Sequence, residues 1–469
     1  MTLDQETCRR ALAAHDSRFD GIFFVGVSST GIYCRPVCPA KTPKPENCTF
    51  YGTHAAAEAA GYRPCLRCRP EIAPGRSNVD AVQAWAKAAV RRIEEGALAE
   101  QSIAELAEEM GISERHLRRV VQTEFGVSPI ALGQTQRLLT AKQLLADTHL
   151  SVGEIAFASG FKSLRRFNAL FVSRYGFAPS RIRKRTKQVS DTIICDLAYR
   201  PPFNWEAMLR FLEGRAATGV EAVIGNAYMR TVQIKNHAGW VAVVPHPSKA
   251  ALRVRASSVL APVLPPLLAR LKRLFDLAAE PHRIQEALGD LAKDPGLRVP
   301  GAFDGYEIAV RAILGQQVSV HAASVIAGKF AMAFGEPAET PYAELTRFSP
   351  SPASVALLQP EQIAETGIIR SRANAIVELA RAVVAKQVVL RPGADVEATM
   401  AGLCALPGIG PWTAEYISMR ALAWPDAFPS SDLGIRKALG MVSAGQAEAI
   451  AEAWRPWRSY AAMHLWSTL

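Results

Sequence analysis

The sequence predicts a multidomain, mainly α chain, and three observations carry that prediction. Six of its eight cysteines fall within the first 68 of 469 residues, a helix-turn-helix pattern occurs twice before residue 187, and a Gly-x-Gly hairpin joins two apolar helical stretches near the C-terminus. Four parts are expected: a small α/β domain stapled by metal (1–75), an all-α double helix-turn-helix domain (79–187), a mixed α+β domain (191–300) and an all-α helix-hairpin-helix domain (301–469). With 49% hydrophobic and 21% charged residues, the chain can bury several cores and is not globally disordered. A net charge of +11 favours polyanionic partners, although charge alone serves solubility equally well. The first ten residues lack the apolar core of a signal peptide, and no later run reaches membrane-spanning length, so a soluble cytoplasmic protein with no membrane partner is expected.

The first part rests on Cys34-Arg-Pro-Val-Cys38 and Cys65-Leu-Arg-Cys68. Two short-spaced pairs can close one tetrahedral thiolate site around Zn2+. A disulfide framework would not leave two cysteines to the other 401 residues. Arg35, Lys41, Lys44, Arg63, Arg67 and Arg69 surround the sulfurs in sequence, which predicts an electropositive setting that favours thiolates and attracts a phosphate backbone. Ala73-Pro-Gly-Arg-Ser-Asn78 reads as a linker.

From Val79 the pattern turns helical, with Ile103, Leu106, Ala107 and Met110 spaced for one buried face. Ile103 to Leu117 and Val152 to Arg166 form a weak repeat, each closed by Phe-Gly-Val-Ser-Pro129 or Tyr-Gly-Phe-Ala-Pro179. In each copy a helix ends at a glycine suited to a left-handed turn, and a basic helix follows: Arg115, His116, Arg118 and Arg119, then Lys162, Arg165 and Arg166. Such faces can enter a major groove. The competing reading is a bundle with a solvated side. Arg181 to Lys187 is a basic run that marks a boundary.

Residues 191 to about 300 mix β-rich pieces, Asp191–Asp196 and Gly239–Pro245, with a helix from Trp205 to Arg215. In the last part, Leu406-Pro-Gly-Ile-Gly-Pro411 frees backbone N–H groups at Gly408 and Gly410 to face a phosphate. Asp432 follows in Phe428-Pro-Ser-Ser-Asp-Leu-Gly-Ile-Arg436, where Ser430 or Ser431 can cap the helix and leave the carboxylate at a cleft edge, although a lone Asp at a helix start is usually a cap itself.

Hairpin plus downstream Asp resembles the helix-hairpin-helix DNA glycosylases. Arg311-Ala-Ile-Leu-Gly-Gln-Gln-Val-Ser319, Pro411-Trp-Thr-Ala-Glu-Tyr416, Trp454–Tyr460 and His464-Leu-Trp466 are similar to the AlkA-type DNA-3-methyladenine glycosylase II family over roughly residues 190 to 469. The resemblance implies that Asp432 is the essential carboxylate, that Trp412, Tyr416 and Trp466 form the base pocket, and that Gln317 stands where a relative inserts an apolar wedge into DNA. Trp412 occupies the place of the Schiff-base lysine of strand-cleaving relatives, so a monofunctional enzyme is implied, and the lone Cys404 excludes their four-cysteine iron–sulfur cluster.

Thr30–Cys38, Asn47–Tyr51 and Gly61–Cys68 resemble the Ada N-terminal domain followed by its AraC-type helix-turn-helix domain. That resemblance implies zinc held by Cys34, Cys38, Cys65 and Cys68, with Cys34 accepting a methyl group from a DNA methylphosphotriester. It also implies transcriptional activation on double-stranded DNA, with RNA polymerase as a further candidate partner. No Pro-Cys-His-Arg motif surrounds Cys195 or Cys404, so repair of O6-methylguanine is not expected. Two alternatives stand beside the bifunctional reading: a regulator whose C-terminal half only binds DNA, and a glycosylase whose N-terminal half is a passive targeting module.

Overall fold

The computed structural model describes residues 4–74, 89–90, 92–93, 96–148, 150–182 and 191–468. Residues 75–78 of the expected linker and 183–187 of the basic run lie outside them. Two compact units emerge, the first comprising residues 1–201 and 246–269 and the second residues 202–245 and 270–469. The division passes through the region read from sequence as one mixed domain. Among the described residues no helix is long and apolar enough to cross a membrane.

The first unit begins with helix Gln5–Ala13, whose N-terminus is capped by Asp4. A four-stranded sheet follows in the order β3-β1-β2-β4, with β1 at Phe24–Val27, β2 at Ile32–Cys34, β3 at Cys48–Tyr51 and β4 at Arg63–Pro64. Cys8, Ala11, Leu12, Phe23, Val25 and Val27 form one buried cluster, while Phe24, Tyr33 and Ala57 form another, with helix His54–Ala59 supplying Ala57. The short parallel pairing of β2 with β4 sets Tyr33 beside Pro64. It therefore brings the two cysteine pairs together: Cys34 ends β2, and the Cys65 N–H donates to the Tyr33 carbonyl at 3.0 Å.

The duplicated pattern folds as two helix-turn-helix units built by the same local rules. Helices Ile103–Glu109 and Val152–Ala158 both open with capping boxes, Ser102 with Glu105 and Ser151 with Glu154. The turns pass through Gly111 (φ 68°) and Gly160 (φ 83°), a left-handed conformation that costs glycine little. Helices Glu114–Phe125 and Leu164–Tyr175 follow, capped by Ser113 and Ser163. Ile103, Leu106 and Ala107 pack with Leu117, Val120, Val121 and Phe125, and helix Pro129–Asp147 links the two units. Strand Thr192–Ala198 pairs antiparallel with Ala251–Ser257.

In the second unit, strands Glu221–Ile224, Ala227–Ile234 and His237–Pro245 form an antiparallel meander. The remainder is helical, with Gly305–Leu314, Arg370–Val384 and Pro411–Ala421 meeting in a core of Ile308, Ile313, Ile376, Leu379 and Ile417.

Candidate functional sites

In the first unit the four sulfurs of Cys34, Cys38, Cys65 and Cys68 lie within 4.8 Å of one another. Tight turns hold them: the Cys38 N–H donates to the Arg35 carbonyl at 3.1 Å, and the Arg35 and Arg67 N–H groups donate to Cys68 Sγ and Cys65 Sγ at 3.4 Å. Crowding sets the thiols against each other. Hydrogen bonds from Cys34, Cys38 and Cys68 pull the Cys65 thiol below the ordinary range, whereas the same three-way crowding pushes Cys68 up. Four such sulfurs ionise together only around a cation, and a four-thiolate set of this size suits zinc. Three of the four residues are buried; Cys34 alone is partly exposed.

Cys34 opens into a cleft of about 730 Å³ that is also lined by Lys41, Lys44, Arg63 and Arg67. The electropositive setting is narrower than its sequence predicts. Arg35 is buried, donates from Nε to Asp20 Oδ1 at 2.7 Å and is neutralised there. Arg69 is bound by Asp147 at 2.6 Å and Glu71 at 3.1 Å. Both serve the framework, because a buried guanidinium needs a carboxylate partner.

On the helix-turn-helix units, Arg115, Arg118, Arg119, Arg165 and Arg166 are all exposed on the second helix of each pair. Arg118 donates to Glu114 at 2.8 Å, and Arg119 contacts His116 at 3.1 Å.

In the second unit, Asp432 is itself the N-cap of helix Leu433–Ala438, accepting from the Ile435 N–H at 3.0 Å. Neither Ser430 nor Ser431 caps, a correction to the sequence-based expectation: the carboxylate one residue later reaches the free N–H. Two indoles also hold Asp432, with Trp412 Nε1 donating to Oδ2 at 3.0 Å and Trp466 Nε1 to Oδ1 at 2.9 Å. Trp412 and Tyr416 stack with centroids 5.7 Å apart and planes 13° apart; Trp466 is 6.3 Å from Tyr416, tilted by 55°. These four residues line a cavity of about 390 Å³.

Sequence reasoning missed the cavity's charged back wall. Arg420 donates to the Tyr416 hydroxyl at 2.7 Å, and Arg215 bonds the same group. Burial alone would push that phenol up, but the two guanidiniums hold it below its ordinary range. Deeper in, Arg230 and Arg311 each meet Glu307 at 2.6 Å, and Arg311 also pairs with Glu221. Arg420 with Tyr416 and Arg311 with Glu307 each stand four residues apart on one helix, but no local signal announces Arg230 with Glu307 or Arg311 with Glu221, 77 and 90 residues apart.

The hairpin beside the cavity distinguishes its glycines. Gly408 has φ +80°, whereas Gly410 is extended, with nothing within 4 Å of where a Cβ would stand. Gln317 is exposed in a left-handed conformation (φ 54°). Its neighbour Gln316 ties the loop to the hairpin, donating to the Gly408 carbonyl and the Thr413 hydroxyl at 2.9 Å.

Comparison with known proteins agrees with this arrangement. Four family models match in succession: the metal binding domain of Ada over residues 7–71, a helix-turn-helix domain over 106–185, the AlkA N-terminal domain over 194–304 and the HhH-GPD superfamily of base excision DNA repair proteins over 310–458. Fold and sites thus define a zinc-thiolate and helix-turn-helix module joined in one chain to a helix-hairpin-helix repair protein. The probable bifunctional transcriptional activator/DNA repair enzyme AlkA of Mycobacterium tuberculosis is 40% identical, over 99% of this chain and 97% of that one. This chain belongs to that family of bifunctional transcriptional activator/DNA repair enzymes. DNA-3-methyladenine glycosylase 2 of Escherichia coli is 37% identical over 58% of this chain and 96% of its own length. A solved 3-methyladenine DNA-glycosylase from Archaeoglobus fulgidus shares the fold, with a TM-score of 0.51 at 23% identity over 58% of this chain and 97% of that one.

Proposed function

We propose that Asp432 is the carboxylate with which the second unit hydrolyses the N-glycosidic bond of alkylated purines of the 3-methyladenine class. One observation carries the reading: a carboxylate fixed by two indole N–H donors at an aromatic-lined cavity large enough for a base. A purine extruded from the duplex would stack against Trp412, Tyr416 and Trp466. If it is cationic, the rings attract it and its glycosidic bond is already weakened. The C1′–N bond breaks with its electron pair passing to the base, which leaves neutral. Asp432 stabilises the oxocarbenium-like sugar, water adds at C1′, and its proton is lost to the carboxylate or solvent. Exposed Gln317 fills the vacated stack, and Gly408 and Gly410 present backbone to a phosphate.

In the first unit, Cys34 is the methyl acceptor: of the four residues it is the one that is partly exposed, and it lines the basic cleft together with Cys38 and Cys65. The four sulfurs would hold zinc, which would keep them ionised. The Cys34 sulfur attacks the methyl carbon of a methylphosphotriester; the C–O bond breaks and its electrons restore a phosphodiester anion. The set loses one negative charge, repulsion from DNA falls, and the helix-turn-helix units bind their promoter more tightly. RNA polymerase as partner and a cytoplasmic location belong to the same proposal. The test is release of 3-methyladenine from alkylated DNA: Asp432→Asn should abolish it with zinc content unchanged, and release at the parent rate would refute the assignment. Intact-mass measurement after exposure to methylated DNA should show one added methyl, absent in Cys34→Ser.

A further inference from the structure

The cleft beside the zinc site is built by two domains of the first unit, and the helix-turn-helix domain's share takes no part in methyl transfer itself. Beside Cys34, Lys41, Arg63 and Arg67, the lining includes Tyr175 at the end of helix Leu164–Tyr175, Phe177 in the link that follows and Arg181 at the end of the short 3-10 helix Pro179–Arg181. Arg181 is exposed, and its guanidinium lies 5.4 Å over the Phe177 ring. Stacking steadies the group without using its N–H donors. Among the described residues Arg181 has no carboxylate partner and no Asp or Glu lines the cleft; Lys44 has Glu46 at 4.0 Å, outside the lining.

A phosphotriester carries no net charge, so a cation draws little long-range attraction from the damaged phosphate until its diester anion forms. The strand is drawn into the cleft only through the intact phosphates on either side. Those phosphates need donors at the cleft's walls, and among the described residues Arg181 is the guanidinium that the helix-turn-helix domain supplies there. We propose that Arg181 is a phosphate-binding residue of the zinc cleft, gripping an intact phosphate of the strand whose methylated phosphate lies against Cys34. The inference rests on the methyl-acceptor reading and adds a joint clamp to it. A short link joins helix Leu164–Tyr175 to the 3-10 helix Pro179–Arg181, so a strand held in the cleft fixes where Arg165 and Arg166 stand on the same duplex.

The test uses the full-length zinc-loaded protein and a duplex oligonucleotide carrying one methylphosphotriester, with the unmodified duplex as second arm. Methyl uptake on Cys34 is followed by intact mass across a salt series. Arg181→Ala should take up the same single methyl at completion but more slowly, and the slope of log rate against log salt should be shallower by about 0.9, one phosphate's worth. Arg181→Lys should restore most of the slope, and Arg210→Ala, an exposed arginine elsewhere, should not alter it. Parent-like rate and slope in Arg181→Ala would overturn the proposal. A parent that accepts no methyl would instead sink the sensor reading; the salt slope of binding to the unmodified duplex then decides whether Arg181 meets a phosphate.

Discussion

At Asp432, one side chain does two jobs that compete in sequence reasoning. An acidic residue at a helix start is usually a cap, and it is one here; yet its two oxygens also take an indole N–H each, from residues 20 and 34 positions away. Those donors orient the carboxylate, and each is separable from the ring that carries it. Trp466→Phe keeps an aromatic wall and removes one charge-assisted hydrogen bond, worth about 1.5–3 kcal/mol. Base release should fall about tenfold or more with thermal stability nearly unchanged, as a base-release assay beside a melting curve can show. Glu58 offers a second prediction. Burial raises it to about 7, against the partial relief of Arg174 and of hydroxyls from Thr135 and Tyr33. A carboxyl whose folded pKa is raised contributes stability that is complete below its unfolded pKa near 4.5 and lost as pH climbs through about 7. Glu58→Gln should therefore stabilise the first unit at pH 8 by about 1–3 kcal/mol, with the gain vanishing near pH 4.5. Denaturant titrations of both proteins across that range would reveal it.

Elements translate such residues into placement. The two helix-turn-helix units were legible from their turn glycines, apolar spacing and basic second helices; the structure adds the capping boxes and serine caps, local signals that the sequence also carries. The hairpin was legible as a motif, but its two glycines look alike on paper and differ in space. Gly408→Ala forces a side chain into a left-handed turn, against Ala375 at 3.3 Å, and should cost about 1 kcal/mol or more of stability. Gly410→Ala meets open space within the protein. It should leave the melting temperature unchanged and weaken binding of an abasic duplex, because only an approaching phosphate would notice the new methyl group. Comparing melting and DNA affinity for the pair separates the two roles.

For the whole molecule, among the described residues the aromatic cavity beside Asp432 is lined by the second unit alone and the four-cysteine cluster is formed by the first alone. Stripping zinc with a chelator should abolish methyl uptake and destabilise the first unit while release of 3-methyladenine continues; loss of both activities on chelation would contradict that independence. Composition, cysteine spacing, the duplicated turn and the hairpin with its Asp determined by themselves that this is a zinc-bearing, DNA-directed, multidomain protein, because each is a short-range pattern with its own chemistry. The tertiary structure alone decided which charges are available. Arg35 and Arg69, counted from sequence as attractive to phosphate, are held by Asp20 and Asp147, whereas Arg181, read as a boundary marker, faces the cleft. It also placed Arg215 and Arg420 behind Tyr416 and left Cys34 as the one partly exposed residue of the four cysteines. Pairing of charges and exposure of atoms depend on neighbours distant in the chain, so only the packed fold can assign them.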